Sequence, residues 1–461
     1  TNLHGLVCRE RGNAAGATAV WSLVAGADRL DWWNRYLRGE KLTCDLQTAL
    51  DIAHDFTRAG FFHKAIELLQ TTRFEAGDLP DQSWGAQPLV AYTLGWLHEK
   101  IYNKKSALKF FQQAAALPSD YCFPARLEEI VILETAMRVN PRDARAPYYL
   151  GNLLYDRQRH FEAIRFWEKS AKLDPKFSIV WRNLGIGYFN ICKKTAKARA
   201  TYDRAFKANP ADARLLFERD QLWKRLGEKP ATRLRELEKF PQLVSQRDDL
   251  SVELCALYNQ TGRPEKALAL VSARNFQPWE GGEGGPLGQW MRSQLALGRR
   301  ALAERKFAAA VEHFSAALTA PKNLGEAKHL LANQSDIHFW LGCARAANGE
   351  KERAQQHWLA AANFRGDFQN MSVRAFSEMT YYSALAWKKL GQESKAGKLF
   401  RDLLAYAKTL EKSEAKIDYF ATSLPTMLLF DDDLQYRQAT TALFLQAQAQ
   451  LGLGQKVSAR K

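Results

Sequence analysis

The side chains best suited to chemistry fall in two segments, 276–288 and 321–329. The first reads Phe276-Gln277-Pro278-Trp279-Glu280-Gly281-Gly282-Glu283-Gly284-Gly285, the second Pro321-Lys322-Asn323-Leu324-Gly325-Glu326-Ala327-Lys328-His329. Together they hold three carboxylates (Glu280, Glu283, Glu326), an amide (Asn323), an imidazole (His329) and an indole (Trp279). Carboxylates and amides bond sugar hydroxyls, and an aromatic face stacks on a pyranose ring, so the set suits a glycan. Two carboxylates at the right separation would also serve glycoside hydrolysis. The glycine run is no phosphate cradle, because it lacks the Gly-Lys-Ser/Thr ending and carries glutamates where phosphate needs positive charge. A long turn between helices accounts for the same residues.

Other chemistry finds no pattern. The nine histidines contain no HExxH and no His or Cys pair at ligand spacing. Asp431-Asp432-Asp433 lacks the glycine and the distant glutamate of a calcium loop, and suits a helix N-cap before Leu434. There is no serine nucleophile elbow. We therefore expect no catalytic residue, metal or cofactor in this chain; if it serves an enzyme, that enzyme is glycoside hydrolase-like. Cys8, Cys44, Cys122, Cys192, Cys255 and Cys343 are scattered singly, which reads as free thiols in a reducing, cytoplasmic setting. A leader on an upstream part would escape this reading.

The chain carries 66 Lys+Arg against 50 Asp+Glu, a net charge of +16 over 461 residues. Fourteen of the basic residues lie between Cys192 and Lys239, against seven acids. Such a stripe can bind nucleic acid, but its bases alternate with acids and no nucleic-acid motif accompanies them. A mixed-charge helical face is the expectation, and nucleic acid is disfavoured. No apolar run approaches the length of a membrane span.

The elements that must position these residues come from a repeat. Ala17, Ala65, Ala107, Ala163, Ala198, Ala267, Ala310, Ala354 and Ala396 share one register. Twelve or thirteen residues before each stands a small residue: Gly5, Ala53, Gly95, Gly151, Gly185, Cys255, Gly298, Gly342 and Ala384. Four residues after each stands a large apolar one: Trp21, Leu69, Phe111, Trp167, Tyr202, Val271, Phe314, Trp358 and Phe400. A small residue on one helix, with an alanine and a knob on the next, is what two closely crossing helices require. The pattern resembles the tetratricopeptide repeat (TPR), a helix-turn-helix unit of about 34 residues. The resemblance implies an all-α, right-handed α-solenoid of about ten helix pairs, with a capping helix over 434–453. We divide it into irregular repeats at 1–145, regular basic repeats at 146–240, and longer repeats with the two inserted segments and the cap at 241–461. One unit matches poorly, with Asp220, Thr232 and Glu236 at the signature positions, and a half-unit lies near 127–141.

Some repeat proteins clamp the carboxylate end of a peptide with asparagines and basic residues on first helices. Asn152, Asn183 and Arg214 match that pattern, but Tyr148 stands where a lysine is wanted and Glu218 where an arginine is wanted. Tyr148, Asn152, Tyr155, Arg182, Asn183 and Arg214 are the peptide-groove candidates. The inserted segments, with Arg247-Asp248-Asp249-Leu250-Ser251-Val252-Glu253-Leu254, resemble the repeat-rich C-terminal region of large bacterial proteins. In that family a β-rich, galactose-mutarotase-like domain of unknown function precedes the repeats. The likeness covers about residues 240–450, and an opening without Met agrees with such an upstream part. It implies a scaffold whose partner is its own upstream domain, a second copy or another polypeptide. The alternative is an accessory region of a carbohydrate-active enzyme, with the two segments forming a glycan site.

Overall fold

The computed structural model describes residues 1–71, 85–279, 281–369, 372–416 and 429–455. They are almost entirely helical, apart from a two-stranded antiparallel hairpin in which Phe368 pairs with Val373. The chain divides into two compact units, Thr1–Asn209 and Pro210–Lys461.

The first unit holds five helix pairs: Asn2–Glu10 with Ala14–Ala27, Leu46–Arg58 with Phe62–Thr71, Gln87–Lys100 with Lys104–Ala116, Arg145–Asp156 with His160–Leu173, and Ser178–Asn190 with Thr195–Ala208. A lone helix, Glu128–Val139, packs on Gln87–Lys100 and Arg145–Asp156, where the half-unit is expected. The second unit also holds five pairs: Ala213–Arg225 with Pro230–Leu237, Asp248–Gln260 with Pro264–Ala273, Gly285–Ala303 with Phe307–Ala317, Ser335–Ala347 with Lys351–Asn363, and Met379–Lys389 with Glu393–Lys412. The final helix, Leu434–Gly452, packs on Glu393–Lys412 and starts with Asp433 as its N-cap, whose Oδ1 accepts from the Tyr436 amide at 2.9 Å. These are TPR-like pairs, and the expected all-α repeat architecture stands.

Packing inside nine of the ten pairs follows the small–large key; Ala213–Arg225 with Pro230–Leu237 departs from it. All nine register alanines are buried. A Cβ placed on Gly95 would sit 2.7 Å from Phe111, and one on Gly298 would sit 2.6 Å from Phe314. At Gly151 it would overlap the Trp167 indole, so only glycine admits the ring there. Burying a knob of this size is the main stabilising term of each pair, on the order of 2–3 kcal/mol. Among the described residues every pair also turns through one left-handed residue. It is Gly12, Gly60, Gly227, Gly262, Gly349 or Gly391 in six pairs, and Tyr102, Gln158, Lys193 or Arg305 in the other four. The four side chains adopt a backbone that glycine takes freely.

Candidate functional site

Segments 276–288 and 321–329 do meet. The Phe276 amide donates to the Asn323 carbonyl at 2.8 Å, and Phe276, Leu287 and Leu324 share one apolar cluster on which Trp279 packs. Their polar groups, however, are engaged with the backbone. Glu326 accepts from the amides of Gly284 (2.6 Å) and Leu287 (2.9 Å), so its charge caps the N-terminus of Gly285–Ala303. The Asn323 amide donates to the carbonyls of Val271 (2.9 Å) and Arg274 (2.8 Å), closing the end of Pro264–Ala273. Glu283 accepts from the Gly281 amide at 2.9 Å. His329 turns away to stack on Phe368, with ring centroids 3.7 Å apart, and its Nδ1 accepts from the Leu331 amide. Glu280 lies outside the described residues. The two segments thus form a joint that satisfies the orphan groups of two helix ends.

The groove candidates of the first unit lie on two neighbouring first helices. Asn152 Oδ1 accepts both from Trp167 Nε1 and from Asn183 Nδ2, each at 3.0 Å, which ties the pairs together at their polar edge. Arg182 Nη1 donates to the Asn183 side-chain Oδ1 at 3.4 Å. Tyr155 sits half-buried with its ring 5.1 Å from Trp167 and 4.5 Å from His160. Tyr148 is different. It is buried edge-on against Phe177 at 4.8 Å, and burial pushes its hydroxyl pKa up, partly offset by a hydrogen bond with Asn152. It works as core and not as groove. Arg214 belongs to the second unit, where its Nε donates to the buried Glu218 at 2.8 Å.

Several bases of the basic stretch are held in ion pairs. Lys197 meets Glu168, Arg214 meets Glu218, Arg219 meets Glu236, Lys224 meets Glu253, Arg233 meets Asp220 and Lys239 meets Glu236. Most of these pairs bridge helices instead of running along one. At their centre is a buried cluster: Arg233 donates to both oxygens of Asp220 (3.0 and 2.6 Å) and to Glu253 at 2.5 Å. Lys224 Nζ holds the other Glu253 oxygen at 3.0 Å. Burial works against the Glu253 carboxylate, but Lys224 and Arg233 outweigh it and hold its pKa below the usual range. This cluster fills the poorly matching unit. Asp220 takes the small position and is held by Arg233, next to Thr232 at the alanine position, while Glu236 stands at the knob position and is held by Arg219. The signal in the sequence was the missing key itself, although nothing local said that ion pairs would replace it.

Two histidines also come together. His338 and His357, on facing helices, approach Nδ1 to Nδ1 at 3.0 Å, and burial lowers the His338 pKa to about 4. Among the described residues no cluster of three or more His, Cys, Asp or Glu could hold a metal. All six cysteines are free. No helix among the described residues is long and apolar enough to cross a membrane.

No family model matches the chain. The cytochrome c-type biogenesis protein CycH of Pseudomonas aeruginosa is 32% identical over 134 residues, which are 28% of this chain and 30% of that protein. The chain therefore matches less than a third of that curated relative's length. Among solved structures, YrrB, a TPR protein with an unusual peptide-binding site, is 16% identical with a TM-score of 0.28, over 50% of this chain and 91% of its own. A tetratricopeptide repeat protein from Parabacteroides merdae is also 16% identical, with a TM-score of 0.27 over 65% of this chain and 98% of its own. PilF of Pseudomonas aeruginosa gives 16% and 0.28, over 49% and 89%. The fold assignment rests on the chain's own pairing and on its keyed residues.

Proposed function

We propose that the chain is a TPR scaffold that binds protein, acting between domains or subunits of a larger bacterial protein. One observation carries this reading. Asn152 and Asn183, on successive first helices, form a continuous polar edge flanked by Tyr155 and Arg182. Carboxamides in register along a solenoid suit the repeating N–H and C=O groups of an extended peptide. The CycH match, confined to a fraction of both chains, agrees with a repeat module and is not extended to that protein's process. The glycan alternative loses support because Asn323 and Glu326, which it needs, are engaged with helix ends.

The test is a display selection of peptides on the full chain. Binders should lose at least tenfold in affinity to an Asn152→Ala/Asn183→Ala variant that retains its helical circular dichroism. Failure to select any peptide, or selected peptides indifferent to both asparagines, would refute the reading. Glu326→Gln should cost about 1 kcal/mol of stability through the weakened cap and leave glycan binding at background.

A further inference from the structure

We propose that the C-terminal end of helix Ala213–Arg225 is a binding site for an aromatic side chain followed by acidic residues, filled in cis by Phe430. It extends the protein-binding reading to a place far in sequence from the asparagine edge. The two are separable by experiment, because they use different residues in different units.

The contact is between residues far apart in the chain. Phe430 belongs to no helix, yet it is only 1% exposed, and the Arg225 guanidinium lies over its ring, 5.5 Å from the centroid. Phe430 lies just before Leu434–Gly452, a helix that packs on Glu393–Lys412. Its ring is seated on a helix some 200 residues earlier in the sequence.

The chemistry of the seat explains what it selects. A guanidinium plane over an aromatic face is a cation–π contact, which gains from desolvation. Arg225 is half-buried; its Nε has no hydrogen-bond partner, and Nη1 makes only a long 3.4 Å contact to the Gln221 carbonyl. Donor capacity is therefore left for an incoming acid. Asp432 supplies one charge that acts on Arg225, while Arg437, Asp432's own partner at 2.7 Å, and Glu253 are the other charged groups acting on it. Beside Arg225, Lys224 and Arg233 are locked onto Glu253 and Asp220. They form a fixed ionic floor and leave Arg225 as the cation that meets the ring. On the occupying segment, Asp433 is committed to capping its helix. Phe430 is the side chain that a peptide in trans would replace. A tethered occupant competes at high effective concentration, so trans binding is weak until the tether lets go.

The probe is a fluorescein-labelled peptide with the sequence of residues 428–433, titrated into the full chain. Wild type should bind weakly. Phe430→Ala should bind at least tenfold more tightly, and Arg225→Met added to it should abolish the gain. Equal affinity of wild type and Phe430→Ala, or a gain that survives Arg225→Met, overturns the proposal. If Phe430→Ala does not fold, wild type supplies the readout. Saturating peptide should accelerate amide exchange in residues 429–433, whereas a peptide with Phe replaced by Ala should not. Unchanged exchange with the native peptide overturns the proposal equally.

Discussion

Helix pair Arg145–Asp156/His160–Leu173 and helix pair Ala213–Arg225/Pro230–Leu237 solve the same packing problem with opposite chemistry. In the first, Gly151 makes room for Trp167, whose indole is 3% exposed and whose Nε1 donates to Asn152. In the second, Asp220 stands at the small position and grips Arg233, itself 2% exposed, while Arg219 meets Glu236 at the other signature position. An apolar knob gains free energy simply by leaving water. A buried ion pair gives most of its Coulomb energy back as desolvation, so it contributes geometry more than net stability. The lesson is that a repeat can keep its shape after losing its apolar key, provided every charge is matched. The matched pair then becomes sensitive to agents that leave the apolar pairs alone.

The contrast can be broken in four ways. The largest effect is expected from Trp167→Ala, which removes the knob and one of the two donors to Asn152; it should cost about 3–5 kcal/mol in urea unfolding followed by circular dichroism. Arg233→Met should cost about 3 kcal/mol, the low end for breaking a buried pair, because Glu253 keeps Lys224 while Asp220 loses its only bidentate partner. Adding Asp220→Leu should return at least about 1 kcal/mol, since an apolar replacement of a whole buried pair is often neutral or better. If the double variant is less stable than Arg233→Met, the ion pair is a stabilising key after all.

A smaller difference depends on pH. The folded pKa of Glu253 is depressed below its unfolded value of 4.5, so its contribution is present above that pH and is lost as pH falls through the folded pKa. Asp220, whose pKa burial raises, leans the other way; the Glu253 share should show as faster amide exchange, corrected for intrinsic rate, in Ala213–Arg225 and Pro230–Leu237 below about pH 4.5. It should appear before exchange changes in His160–Leu173, and Glu253→Gln should flatten the difference. Parallel acid responses in the two pairs would contradict the comparison. The smallest effect belongs to Trp167→Phe, which keeps a knob but deletes the bond to Asn152; about 1 kcal/mol is expected, with a partial loss of peptide binding.

How far the candidate sites were legible follows from the range of the forces involved. That segments 276–288 and 321–329 meet could be read from repeat topology, since loops joining successive repeats share an edge. That Glu326 would spend both oxygens on the amides of Gly284 and Leu287 could not, because the choice depends on which carboxylate reaches a helix end first. Tyr148 occupies a groove register in sequence, but Phe177 folds over it and claims it for the core. Asp433 was legible as an N-cap because capping is decided within one turn.

By itself the sequence determined the helix pairs. The small, alanine and large positions act across a single turn of chain, so their spacing alone specifies which faces touch, and nine registers agree with one another. Tertiary structure decided everything that joins distant residues. It closed Arg233 on Asp220 and Glu253, set Asn152 against Asn183, and seated Phe430 under Arg225. None of these has a local signature: charge pairing and cation–π contact depend on distances in space, and a pattern of neighbours along the chain does not contain them.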